Sequence, residues 1–391
     1  MDFELTDAQR LIRDTVREFA EKELAPLAAE LDRLKRFPEK PLQRLAELGV
    51  LGMTMPPEYG GAGADTVSSC LSLMEISRAC ASTGVTVSVL NTLTCEIIYR
   101  HGTEDQRQRY LPALCRGEIL AAFSLTEPTS GSDAASLRTT AIRRGDRYVL
   151  NGTKQFVTNG SRAGAIILFA STDPPRGEKG ITAFLIEPLF PGFRVGKREE
   201  KMGLRASDTA ELVLEDCQVP IENRIGEEGE GFKIALSSLV TGRAGIAAQA
   251  VGIAQACLDA SIRYAKERRQ FGQPIAQFQA IQWKLANMAT ETEAARLLTL
   301  RAAALKARGL PCTMEASMAK LFASEAANRS AAEAVQIHGG YGYLQDFPVE
   351  RYMRDARVLT IYEGTSEIHR LIVARQLLGR ACETSASGGE Q

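Results

Sequence analysis

The hydrophobic spacing of this chain changes twice, and that most constrains what it can fold into. Up to about residue 121 apolar residues recur at helical intervals. From there to about residue 230 short β-branched and aromatic runs alternate with turn residues. Beyond Gly231 the helical interval returns and holds almost to the end. A segment with a period of 3.6 cannot sit still as a strand, nor one with a period of 2 as an amphipathic helix. The chain is therefore expected to build a helical domain over residues 1–121, a β-domain over 122–230 and a helical bundle over 231–380, with a frayed tail over 381–391. Its 391 residues suffice for several packed units.

Local signals agree with this division. Thr6 and Gln9 stand in capping-box register before Leu11, Ile12, Val16 and Phe19. Further helices are expected at 38–48, 66–81, 85–99 and 104–114, with a Gly/Pro-rich turn over 55–63. Strands are expected at Arg147–Leu150, Ile166–Phe169, Thr182–Ile186 and Glu211–Leu214, with Asn151-Gly152 and Asn159-Gly160 as turns. The late helices should be about 24 to 40 residues long, well beyond the usual mean. One of them carries Gly242, Gly245 and Gly252, each costing up to ~1 kcal/mol in a helix interior. A backbone packed closely against something bulky would compensate.

A formal net charge of −1 gives no electrostatic reason to expect nucleic acid or an anionic membrane. The eight cysteines (70, 80, 95, 115, 217, 257, 312 and 382) contain no CxxC pair, and only three histidines accompany them, so no metal site is expected. Scattered thiols in Ala/Leu-rich stretches read as buried hydrophobes of a reducing compartment, and the expected location is cytoplasmic. The N-terminus lacks a signal-peptide core, and no run of about 18 apolar residues suggests a membrane span.

Several short stretches carry chemistry. Val358-Leu-Thr-Ile-Tyr-Glu-Gly-Thr-Ser-Glu-Ile-His369 delivers one carboxylate, Glu363, at a corner before a glycine, where Ile361 and Tyr362 can desolvate it and raise its pKa toward that of a base. Taken alone, an acid there more often complements a helix dipole. Ala122–Asp133 is a strand end followed by hydroxyl-rich backbone able to hold a polar ring or phosphate, or an ordinary Ser/Thr turn. On Asn151–Gly160, Phe156 and Thr158 share one face, so a ring and a hydroxyl would meet the same ligand; simple hairpin structure explains the pattern equally well. Glu267–Gly272 and Val335–Tyr343 offer Arg268 as a planar fork and Gly339-Gly340 as open backbone, either for pyrophosphate or as a solvated Arg and a helix C-cap. No GxGxxG follows a strand, so a dinucleotide-binding βαβ unit is not indicated.

Together, and in this order, Phe123-Ser-Leu-Thr-Glu-Pro-Thr-Ser-Gly-Ser-Asp133, Gln336-Ile-His-Gly-Gly-Tyr-Gly and Arg354-Asp-Ala-Arg-Val-Leu-Thr-Ile-Tyr-Glu-Gly-Thr-Ser-Glu-Ile resemble the signatures of the acyl-CoA dehydrogenase family. The likeness runs along essentially the whole chain. It comes nearest the short-chain (butyryl-CoA) branch at Glu75–Gly84 and Gly231–Ala235. The fold class it implies is mostly α with a central β-domain: an N-terminal helical domain, a middle β-barrel-like domain and a C-terminal four-helix bundle. The implied cofactor is FAD, its ring contacted by Phe123, Leu125, Thr126, Phe156 and Thr158, with Ser132 nearby and Phe156 standing where Trp is commoner. Arg268, Gln270, Phe271, Gln336, Gly339 and Gly340 match positions that reach the FAD of a neighbouring subunit, and Thr365 and Glu367 match contacts within the same chain. Ser132, Arg243, Tyr362 and Gly364 match the acyl-CoA site.

Some relatives place the base on the helix just before the Arg matched by Arg243, where this chain has Gly242. Glu363 is the remaining match. The resemblance thus implies that Glu363 takes an α-proton while a β-hydride goes to flavin N5, giving a trans-2-enoyl-CoA as in fatty acid β-oxidation. It further implies an electron-transferring flavoprotein as acceptor and a homotetramer built as a dimer of dimers. Rival readings are the same chemistry on a branched, cyclic or dicarboxylic acyl-CoA, an oxidase-like relative, or a flavin-binding relative without turnover.

Overall fold

The computed structural model describes residues 4–379. The tail 381–391 and Cys382 lie outside the described residues; the other seven cysteines are free and buried. The first helix, α1 (Asp7–Phe19), is capped reciprocally: Gln9 N donates to Thr6 Oγ1 at 3.2 Å and Thr6 N to Gln9 Oε1 at 3.0 Å. There follow α2 (Ala25–Arg33), α3 (Glu39–Glu47), α4 (Thr66–Ala79), α5 (Ala81–Ser88), α6 (Glu96–His101) and α7 (Glu104–Cys115). The helix expected at 85–99 begins earlier, at Ala81, and widens into a π-helical segment over Val89–Cys95, where Thr94 Oγ1 donates to the Leu90 carbonyl at 2.9 Å. This segment is buried all round, so its sequence shows no polar face and its limits are hard to read.

The middle of the chain forms β1 (Leu120–Ser124), β2 (Thr140–Arg144), β3 (Arg147–Thr158), β4 (Ala163–Ser171), β5 (Ile181–Ile186), β6 (Phe193–Arg198), β7 (Thr209–Pro220) and β8 (Arg224–Ile225). They lie in the order β6-β7-β3-β2-β4-β5-β8, with β1 parallel to β4. β2 meets β4 through the single pair Thr140–Ser171, so two half-sheets are hinged into one path that does not close into a ring among the described residues. Asn151-Gly152 is not the turn expected of it. β3 runs straight through both residues, and the extra residue of the local bulge lies instead in β7, where Asp216 takes φ +51°; Asn151 and Asp216 exchange hydrogen bonds of 3.0 and 2.8 Å, and a Cβ on Gly152 would lie 2.4 Å from Thr139 Oγ1. Asn159, at φ +63°, does turn the chain.

The C-terminal part holds α8 (Gly231–Glu267), a hairpin of β9 (Arg269–Gln270) and β10 (Gln273–Pro274), α9 (Gln279–Ala307), α10 (Thr313–His338), α11 (Val349–Arg357) and α12 (Ser366–Leu378). α8, α9 and α10 pack on one another, and α11 and α12 lie along α10. α8 also packs on α4 and α5, so both helical domains share one core, while a second core lies within the sheet. The helical segments Ala81–His101 and Gly231–Glu267 are long and apolar enough to cross a membrane, but their apolar windows are 100% and 78% buried inside the protein. The three α8 glycines are close-packing positions: a Cβ on Gly252 would lie 2.4 Å from Met74 O, one on Gly245 2.7 Å from Ser88 Oγ, and one on Gly242 2.2 Å from Glu363 Oε2.

Candidate active site

The corner at Glu363 is built by the chain leaving α11. Ile361 N and Tyr362 N both bond back to the Val358 carbonyl, at 2.8 and 3.1 Å, which ends the helix in a tight turn. Glu363 (φ +50°) and Gly364 (φ +95°) then take left-handed backbone in succession, before Thr365 caps α12 by accepting from Ile368 N at 3.3 Å. Left-handed backbone at a glutamate costs on the order of 1–3 kcal/mol and persists only where the surroundings enforce it. Two contacts do so. Lys320 Nζ, from α10, donates to the Gly364 carbonyl at 2.6 Å. Tyr362 OH donates to Gln249 Oε1 on α8, and Gln249 Nε2 in turn donates to Ala81 O at 2.9 Å.

Glu363 is not the dipole partner of α12, since it precedes the cap by two residues and exposed Glu367 holds the first-turn place. Its carboxyl instead points back onto α8 at Gly242, in the room left by the missing side chain and beside Leu93. Although the residue as a whole is only half-buried, Oε2 is sealed from solvent and has no hydrogen-bond partner among the described residues. Burial pushes the Glu363 pKa up to about 7, against the opposing attraction of Lys320 and then Arg243. Arg243 is buried at 7% exposure, its Nε also has no partner, and burial draws its pKa down against the pull of Glu363. The backbone N–H of Glu363 makes no hydrogen bond among the described residues. A carboxylate, a guanidinium nitrogen and the Thr241 hydroxyl are thus buried with nothing of the protein's own to satisfy them, the signature of a site completed by a ligand.

The β-domain residues form a second group. Phe123, half-buried, packs on Phe169 with ring centroids 5.2 Å apart; Leu125 is buried; Thr126 O accepts from Gln155 N at 2.8 Å, tying the loop after β1 to β3. Phe156 sits at a β3 bulge with φ +58° and is 61% exposed, while Thr158 is half-buried on the same side and Val157 points into the core. Ser132 lies on the exposed loop. Underneath is a pair that the sequence did not reveal: Lys154 Nζ donates to Glu127 Oε1 at 2.7 Å and to Leu125 O at 3.1 Å, with both side chains almost fully buried. α5 and the π-segment join the two groups, since Asn159 Nδ2 donates to Ala121 O at 3.1 Å beside the Thr86 carbonyl, while Leu93 lies beside Glu363.

A third group stands apart. Arg268 lies over the Tyr341 ring at 5.4 Å, which brings the hairpin carrying Gln270 and Phe271 to the end of α10 carrying Gln336, Gly339 and Gly340. Gln270, Phe271, Gln336, Gly339 and Gly340 are exposed, Phe271 at 92%. α8 and α10 run in the same direction from Arg243 and Lys320 at one end to the stacked Tyr264 and His338 at the other. At 1.5 Å per residue the third group therefore lies roughly 25–40 Å from Glu363 in the same chain. The structure does not bring it to the Glu363 site. A groove of about 1260 Å³ between α2, the end of α8 and α11 contains none of these residues either.

A three-domain helix–sheet–helix fold with a desolvated carboxylate at the seam defines a class. Family models for the acyl-CoA dehydrogenase N-terminal, middle and C-terminal domains match residues 6–118, 122–217 and 229–378, and the chain belongs to the acyl-CoA dehydrogenase family. Among relatives, an acyl-CoA dehydrogenase of Bacillus subtilis is 52% identical over 96% of this chain and 99% of that protein. A short-chain specific acyl-CoA dehydrogenase of Clostridium acetobutylicum is 48% identical over 96% and 100%. Among solved structures, butyryl-CoA dehydrogenase from Megasphaera elsdenii superposes with a TM-score of 0.95 at 45% identity, covering 97% of this chain and all of that one.

Proposed function

We propose that this chain is an FAD-dependent dehydrogenase of short-chain acyl-CoA thioesters, with Glu363 as the α-proton base. The observation that carries the reading is the Glu363 Oε2 atom, sealed against Gly242 with no hydrogen-bond partner among the described residues. A carboxylate in water is too weak a base for a thioester α-proton; one whose pKa is pushed up to about 7 is a stronger base, yet still ionised in a useful fraction at neutral pH. Oε2 receives the α-proton. The unbonded Glu363 N–H is available to the thioester oxygen as negative charge develops there. Arg243, Tyr362, Gly364 and Ser132 would line the acyl-CoA path. Phe123, Leu125, Thr126, Phe156 and Thr158 would hold FAD, which when bound supplies the acceptor for the β-hydrogen as hydride, so that the substrate leaves as a trans-2-enoyl-CoA.

The acyl chain would occupy the space beyond the carboxylate. α8 packs directly on α5 and the π-helical segment, where Gly245 meets Ser88 and Thr92 and Gly242 meets Leu93, and these are the residues that would bound the acyl chain. Position 84 itself offers no cation to a distal carboxylate, since it is a glycine on which even a Cβ would lie 2.1 Å from Ser77 Oγ. The distant third group supports at least a second copy of the chain, and the homotetramer arranged as a dimer of dimers is the assembly that the family resemblance implies. If Arg268, Gln270, Phe271, Gln336, Gly339 and Gly340 contact FAD, as Thr365 and Glu367 would from its own chain, they do so in a second copy. An electron-transferring flavoprotein as electron acceptor and a cytoplasmic location complete the reading, with domains at 1–121, 122–230 and 231–380. The test is Glu363→Gln, which should retain yellow FAD yet lose flavin bleaching by butyryl-CoA; bleaching at the wild-type rate would refute the base assignment. A panel of C4 to C16 thioesters ranks the substrates.

A further inference from the structure

Behind the Glu363 corner lies a lysine that none of these roles uses. Lys320 sits on a face of α10 made of Ala316, Ser317, Ala319, Ala323 and Ser324, and its own exposure is 0%. A buried ammonium costs several kcal/mol unless a counter-ion or good hydrogen bonds offset it. Among the described residues Lys320 has no ion-pair partner; its one hydrogen bond is the 2.6 Å donation to the Gly364 carbonyl. A methionine would occupy similar volume at less cost, so packing alone does not account for the charge.

The groups that face Lys320 and the corner come from three helices. α8 supplies Arg243. α12 supplies Glu367 and His369, and Glu325 lies on α10 itself. His369 is fully buried against the Glu363–Gly364 backbone, and a Cβ on Gly364 would lie 3.0 Å from its Nε2. Burial, with Lys320 and Arg243 adding to it, pushes the His369 pKa down to about 3, so this ring carries no charge at neutral pH. Glu367 is exposed and therefore well screened. The charges left to set the field at Glu363 are Lys320 and Arg243, and Lys320 is the stronger influence.

We propose that Lys320 is a positioning residue for the base: its ammonium holds the Gly364 carbonyl, which fixes the left-handed Glu363–Gly364 pair that aims the carboxylate, and it turns toward Glu363 the positive charge that favours the ionised side chain. This rests on Glu363 being the base. Burial raises the pKa of Glu363 and Lys320 opposes it, so removing the ammonium leaves burial less opposed and the carboxyl titrates higher still. The lysine pays in kind, since burial draws its own pKa down to about 8 against the pull of Glu363.

The test uses the FAD-loaded full chain carrying Lys320→Met, Lys320→Gln or Lys320→Arg, with two readouts. One is the pH dependence of flavin bleaching by butyryl-CoA. The other needs no substrate: an infrared titration of the Glu363 carboxyl, with Glu363→Gln as the blank. Met and Gln should move both midpoints upward by about one pH unit or more, an effect of the size an opposite charge at short range exerts, and slow bleaching at pH 7 by about five-fold or more. Gln, which keeps a donor for the Gly364 carbonyl, should recover most of the rate at high pH, and Arg should keep the wild-type midpoint. If Met does not fold, Gln carries the same test. A wild-type midpoint in an uncharged variant, or an equal loss at every pH, overturns the proposal. Failure of the base assignment is separate, since Glu363→Gln would then still be bleached.

Discussion

Gly242→Ala places a methyl group where the Glu363 carboxylate now sits. The new Cβ would stand 2.2 Å from Glu363 Oε2 and 2.9 Å from Leu93 Cδ2. Leu93 can turn the end of its side chain aside, but Oε2 must retreat by about 1 Å to reach ordinary contact, and a displacement of that size at a reacting group can cost ~10²-fold in rate. That corresponds to roughly 2.7 kcal/mol of barrier. The global fold should barely respond: Gly→Ala in a helix interior gains up to ~1 kcal/mol, offsetting a local overpacking cost of similar size. Anaerobic mixing of the oxidised, FAD-loaded variant with butyryl-CoA, followed by the loss of flavin absorbance, should show about a hundred-fold slower phase at normal flavin content and nearly normal melting temperature. Bleaching within two-fold of wild type in a folded, FAD-loaded variant would mean that Glu363 does not work from this position.

Two further outcomes follow from buried charge. The folded-state pKa of Glu363 is raised from 4.5 to about 7, so between those values the native protein holds a proton that the unfolded chain has released, and stability falls as pH rises through that window. The full loss, roughly 3 kcal/mol at 1.36 kcal/mol per unit, is present above pH 7 and absent below 4.5. Glu363→Gln should therefore raise the melting temperature clearly at pH 8 and little at pH 4.5; equal shifts at both would contradict the buried, ionised carboxylate. At the Glu127–Lys154 pair, Lys154→Met leaves a buried carboxylate without its cation and should cost ~3–5 kcal/mol, most of it recovered by adding Glu127→Gln. Denaturant midpoints measure both, and a double variant as unstable as the single would show that the pair is not the source.

Much of the site was legible because its chemistry is written in contiguous residues. The corner Tyr362-Glu363-Gly364 needs a glycine for its second left-handed residue, and the glycines of α8 announced close packing before any partner was known. The Asn151-Gly152 turn failed for a tertiary reason. Its signal is local, whereas the strand it would interrupt is held by pairing with β7 across more than sixty residues, and that pairing carries β3 straight through while β7 takes up the extra residue at Asp216. Lys154 and Lys320 escaped notice because a lysine in sequence reads as solvent-facing; only an observed exposure of 0% reveals the cost of placing it there.

By itself the sequence determined the alternation of helix, sheet and helix, since the period of apolar residues decides which surface each segment can bury. Its resemblance to the acyl-CoA dehydrogenases pointed to Glu363 as the base, because the alternative position is Gly242. Tertiary structure alone decided that Oε2 of Glu363 lies against Gly242 sealed from water, with a buried ammonium behind its corner, and that Arg268 and Gln336 stand some tens of ångströms away. Such facts depend on which helices meet and at what height along their axes, and desolvation, which sets the pKa of Glu363, exists only once those surfaces have closed.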